Sequence, residues 1–202
     1  MKVKWMFIAL ILWAAPVYAI DVLALYKDDQ AVRTHLRTLP KNEVKEYITQ
    51  VMLPGDQVRL EQVEQLLKTT ENLSSEEYFA AAMIMQHGSD PAHYKMAMEL
   101  SQKARALDPS NKNASWLSCA AEDRYLQKID QPQIWGTQLH RKMNAEGTHE
   151  IYYLENFDKN ARADEQRVQC GIPTLAGIEA KLEKMATLTD RNKQYRLWKT
   201  GT

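Results

Sequence analysis

Hydrophobic positions recur at helical spacing along most of the chain. Val22, Leu25, Val32, Leu36 and Leu39 predict a first helix over 21–38, ended by Pro40. Glu43 to Met52 reads as a second, short helix, stopped at Pro54-Gly55. Leu60, Val63, Leu66 and Leu67 then form a stripe, with Glu and Gln on the opposite face. Ser74 and Glu77 make a capping box before Tyr78–Met85, which is apolar on nearly every side and so predicts a buried helix. Gln86-His87-Gly88 ends it, with Gly88 expected in a left-handed cap. Asp90 caps the next helix and Pro91 takes its first position. Ala97, Leu100, Ala104 and Leu107 line one face of that helix, small enough for a close helix neighbour. A third core helix is expected from about Asn113 to Ile129.

Beyond residue 130 the period changes. Gln131-Pro132-Gln133 is a break, Ile134 to His140 alternates weakly, and Asn144-Ala145-Glu146-Gly147 reads as a turn before Glu150–Leu154. Two such runs around a glycine-containing turn predict a β-hairpin, which must pack on the helices because an isolated hairpin is marginal in water. A helix is expected from Asp164, then a loop at Gly171–Leu175 and a helix through Met185, capped by Thr174 or its neighbour. The fold class is therefore mostly α: a bundle of antiparallel helix pairs with a small β-hairpin after the third core helix. The expected divisions are 20–73 (N-terminal helices packed on the core), 74–188 (core domain) and 189–202 (a flexible, frayed tail).

The first 19 residues have the pattern of a secretory signal. Lys2 and Lys4 precede the apolar stretch Trp5–Ala15, Pro16 breaks it, and Val17-Tyr18-Ala19 offers small residues to a signal peptidase. An uncleaved anchor is the alternative. Cleavage after Ala19 predicts a periplasmic or secreted protein beginning at Ile20, with no membrane span. The precursor balances 26 basic against 26 acidic residues, and losing the two lysines leaves 24 against 26. No basic stripe suggests a nucleic-acid partner. Apolar residues at 45% exclude a disordered chain. Export also bears on the only two cysteines, Cys119 and Cys170: they form either one bridge, worth about 3–4 kcal/mol in the chain-entropy picture, or a buried free thiol at Cys119.

Two resemblances follow from these residues. Ile84, Ala97, Ala104, Pro109 and Leu117 fall at positions that resemble one tetratricopeptide-type helical hairpin, although Ser101 stands where that motif has an aromatic. In addition, Gln86-His87-Gly88, Asp123-Arg124-Tyr125-Leu126, Gln133-Ile134-Trp135-Gly136-Thr137-Gln138 and Gly171–Leu175 occur in order. This set is similar to an uncharacterised bacterial family of helical domains with Gln-His, Asp-Arg-x-Leu and Gln-x-Tyr-Gly-Thr-Gln motifs. Trp135 replaces the usual Tyr. The resemblance implies a fold and a candidate surface, and no activity.

The polar residues of those motifs are the candidate site. His87 and Asp123 could act as a general base and its orienting carboxylate, with Gln86, Arg124, Gln133, Thr137 and Gln138 binding an anionic or carbonyl group. The competing reading makes Asp123 and Arg124 a structural clamp on the Gly-Thr-Gln backbone, with His87 satisfying a helix end. No metalloprotease, Cys-x-x-Cys, nucleophile-elbow or Walker pattern is present, and no metal or other cofactor is expected. The favoured function is a non-catalytic exported module that binds a protein or peptide, or serves structurally. The alternative is a small hydrolase or transferase using His87 and Asp123. The charged helices of 27–71 offer no chemistry on this reading, and His35 is expected at the surface.

Overall fold

A computed structural model describes residues 20–143, 150–189 and 194–199. The signal-like segment and the 144–147 turn lie outside the described residues. Helix α1 (Val22–Leu36) starts at Asp21, whose carboxylate accepts the Ala24 N–H at 3.0 Å. Helix α2 (Lys41–Tyr47) does not stop at Pro54-Gly55 as the breaker residues suggest. It runs through a π turn (Ile48–Met52) into α3 (Leu53–Thr69). The Leu53 N–H reaches back to the Ile48 carbonyl, so the chain widens just before Pro54. Pro54 then sits in the first turn of α3, directly after this widened turn.

Helix α4 (Ser75–Met85) carries the predicted capping box, with Ser74 and Glu77 bonding each other's backbone N–H. Tyr78, Ala80, Ala81, Ala82, Ile84 and Met85 are all buried, as the all-round apolar pattern requires. Gly88 follows it, yet its φ is not positive, so the left-handed cap is absent. Space explains the glycine: a Cβ would lie 2.2 Å from Nδ1 of the His93 ring. Helix α5 (Pro91–Leu107) is capped by Asp90, which accepts the Ala92 N–H at 2.7 Å. Its buried face holds Ala97, Leu100, Ser101 and Ala104, while Leu107 is 59% exposed and leaves the stripe. Helix α6 (Lys112–Lys128) is capped by Asn111.

Helix α6 separates two cores. Ala114, Leu117 and Ala121 join Val22, Val63, Ile84, Met85 and Leu100 in a helical core built from α1, α3, α4, α5 and α6. Cys119 faces a second core with Trp135, Leu154, Phe157, Cys170, Ile172, Ile178 and Leu182. That second core is roofed by β1 (Leu139–Met143) and β2 (Glu150–Phe157), the predicted antiparallel hairpin, with Leu139 opposite Leu154. Residues 134–138, expected at the start of the first strand, form an irregular loop. Helices α7 (Asp164–Gln169) and α8 (Leu175–Thr189) complete the unit. Thr174 caps α8 by accepting the Gly177 N–H at 3.1 Å. The tail expected to fray contains β3 (Gln194–Lys199), which runs parallel to β2. Its alternation of polar Gln194 and Arg196 with Tyr195 and Leu197 is a strand signal that the basic composition hides.

Cys119 and Cys170 are bridged, with Cα atoms 6.4 Å apart and a sequence separation of 51. The bond ties α6 to the C-terminal end of α7. Gly171, at φ +68°, lets the chain leave α7 in a left-handed turn closed by the Ile172 N–H on the Arg167 carbonyl at 2.9 Å. Among the described residues no helix is long and apolar enough to cross a membrane.

Candidate functional site

Asp123 lies one helical turn beyond Cys119 on α6 and is completely buried. Its Oδ1 accepts the N–H groups of Ile134 (2.7 Å) and Trp135 (2.9 Å). Its Oδ2 accepts the N–H of Thr137 (2.9 Å) and the Thr137 hydroxyl (2.7 Å). Burial pushes this carboxyl above the ordinary aspartate value, and the four donated bonds pull against it. All four bonds run towards Asp123, so both oxygens are occupied by one loop.

The carbonyls of that loop are held from the opposite side. Arg167, on α7 and also fully buried, donates from Nη1 to the Trp135 carbonyl and from Nη2 to the Ile134 carbonyl at 3.3 Å. The same Nη2 contacts the carbonyls of Lys159 (3.4 Å) and Arg162 (3.3 Å). Residues 134–137 are thus gripped at their amides by a carboxylate and at their carbonyls by a guanidinium. The peptide dipoles lie between two opposite charges, so Asp123 and Arg167 meet through the loop and not directly, while the buried Arg167 Nε donates no hydrogen bond and has Asp164 at 3.8 Å. Gly136 completes the grip: its φ is +76°, and a Cβ there would lie 3.0 Å from the Phe157 ring. The disulfide sits four residues before Asp123 and three after Arg167, joining the two helices that hold the loop.

The remaining motif residues extend this network outward. Arg124 donates from Nε to Gln138 Oε1 at 2.9 Å. Gln138 Nε2 donates to the Thr137 hydroxyl oxygen at 2.8 Å, and that hydroxyl donates to Asp123. A directed chain of hydrogen bonds therefore leads from the Arg124 guanidinium to the Asp123 carboxylate, each bond polarising the next. Arg124 Nη1 also donates to the backbone carbonyl (3.2 Å) and side-chain oxygen (3.1 Å) of Gln86, fixing the end of α4. Buried Gln133 imitates a strand partner: its amide exchanges bonds with the backbone of Gln138 and donates to the Glu155 carbonyl at 2.9 Å. Gln86, Asp123, Arg124, Gln133, Thr137 and Gln138 thus come together.

His87 does not join them. Its Nε2 lies 3.5 Å from Oδ2 of Asp29, on α1, and it makes no ion pair with Asp123. The expected His–Asp dyad is absent for a physical reason: the Asp123 oxygens are filled by loop amides, and His87 leaves α4 on the side that faces α1. Asp29 belongs to a second charged network that the sequence reading passed over. Arg33 bonds Asp29 at 2.6 Å and Asp56 through both η nitrogens, at 3.1 and 3.0 Å. Arg59 bonds Asp56 at 2.6 Å and Asp28 at 2.7 Å. A usable signal existed. Asp29 stands four and seven residues after Leu25 and Val22, and Asp56 four and seven before Leu60 and Val63, so both acids occupy the apolar stripe. Arg167 was also missed, because a six-residue polar helix carries no stripe to mark its inner face.

Arg124, Gln127 and Lys128 of α6, with Tyr94 of α5 and Gln138, line an open cleft of about 300 Å³ beside this network. Comparison of the chain with models of protein families, with curated proteins and with solved structures finds no match.

Proposed function

We propose that this chain is an exported helical module that binds a ligand, peptide or protein and catalyses no reaction. One observation carries the reading: the only buried carboxylate of the candidate site, Asp123, spends both oxygens on the backbone and hydroxyl of one loop. A carboxylate so engaged has no acceptor left to orient an imidazole. Its role is to set the 134–138 loop against α6, and with it the Gln138 amide that positions Arg124. The signal-like N-terminus supports export, and a bridged cysteine pair fits an oxidising compartment.

Comparison of Asp123→Asn with His87→Ala tests the reading. Asparagine turns an NH2 group against backbone donors, so Asp123→Asn should cost about 3–5 kcal/mol in urea unfolding. His87→Ala should cost less than about 1.5 kcal/mol, because Arg33 and Gln30 still bond Asp29. Wild-type stability in Asp123→Asn, together with ester- or amide-hydrolysing activity lost in both variants, would sink it.

A further inference from the structure

The buried and half-buried arginines of this protein differ in how their charge is met. Arg33 and Arg59 each bond two or more aspartates. Arg167 spends both η nitrogens on enclosed carbonyls. Among the described residues, Arg124 is held by neutral oxygens alone, at Nε and Nη1, and its Nη2 has no acceptor. Its nearest carboxylate in bonding terms is Asp123, at the far end of the Gln138–Thr137 chain. Among the described residues the cleft that Arg124 lines holds no carboxylate, and Lys128, one turn further along α6 and in no ion pair with them, adds a second positive charge. Tyr94 brings a hydroxyl to the same wall.

The geometry points to this cleft as a binding site for an oxyanion, carboxylate or phosphate, held by Arg124 Nη2, the Lys128 ammonium and the Tyr94 hydroxyl. A guanidinium held at Nε by Gln138 and at Nη1 by Gln86 presents its two Nη2 N–H groups at little entropic cost, which is how a fixed arginine selects an anion over water. The cleft is large enough for a small organic acid or for the acidic end of a longer ligand. This inference names the ligand class of the binding module proposed above and rests on that reading. The two can fail separately, because the Asp123→Asn result concerns stability and anion binding concerns the cleft alone.

The test is calorimetric titration of the full chain with inorganic phosphate and, separately, succinate at low ionic strength. Saturable binding of one anion per chain is expected, weakening as salt is raised. Lys128→Glu should weaken it about tenfold or more, and Tyr94→Phe by a smaller factor. Lys128 is exposed and forms no ion pair among the described residues, so its replacement leaves the fold intact, which circular dichroism checks. Tighter succinate than phosphate assigns the site to carboxylate ligands, and the reverse order to phosphates. Absence of saturation with both probes, or undiminished binding by Lys128→Glu, overturns the inference.

Discussion

Among the described residues charge is buried in two places and managed differently in each. Between α1 and α3, carboxylates and guanidiniums meet directly: Asp56 is bonded by both Arg33 and Arg59, and Arg33 also bonds Asp29. Between α6 and α7 the opposite charges never touch. Asp123 and Arg167 act through the peptide groups of residues 134–137, one on the amides and one on the carbonyls. The first network is shared, so losing one member leaves its partners other bonds. The second has no redundancy, since only Asp123 satisfies those amides. The direct network joins two helices that hydrophobic packing already joins, whereas the indirect one gives shape to a loop with no regular structure of its own.

This contrast orders the effects of removing a guanidinium. Arg167→Met leaves several enclosed carbonyls without donors and should cost about 3–5 kcal/mol, read as a fall in the urea midpoint. Arg59→Met should cost about 1–3 kcal/mol, because Arg33 still bonds Asp56 through two nitrogens and Asp28 is exposed to water. Equal costs for the two would erase the distinction between the networks. Glu77 supplies a partly exposed reference at the start of α4. Hydrogen bonds from the Ser74 backbone, then from its side chain, hold this carboxyl below the ordinary glutamate value. Its folded pKa lies below its unfolded one, so its contribution is present above about pH 4.5 and lost as pH falls through the folded value. Glu77→Gln should therefore cost a few tenths of a kcal/mol near pH 7, and the gap from wild type should narrow as the pH falls below the ordinary glutamate value.

Legibility in the sequence follows the same division. Helices α3 to α6 could be read because apolar residues at 3.6-residue spacing and side-chain caps are local signals. The second strand of the hairpin was legible from its aromatic and β-branched run, whereas the first begins only at Leu139, past most of the weak alternation from Ile134. The π turn was not, since Pro54-Gly55 reads as a stop wherever no register shift is anticipated. Asp123, Arg124, Gln133, Thr137 and Gln138 could be named as a group, and a clamp was among the readings of Asp123. What the clamp consists of could not be read, because Arg167 lies on a short helix 44 residues beyond Asp123 and its partners are backbone atoms. Backbone acceptors leave no trace in a side-chain pattern. His87 was paired with the wrong aspartate because sequence order says nothing of which neighbour the end of α4 meets.

Hydrogen exchange of three amides tests the gripped loop most directly. Residues 134–138 form no regular structure, and ordinary loop amides exchange by local fluctuation within minutes. Bonding of the Ile134, Trp135 and Thr137 N–H groups to buried Asp123 predicts protection close to that of core amides in α6, lost only on global unfolding. Exchange of these three at the rate of an open loop, in a protein whose α6 amides remain protected, would contradict the account.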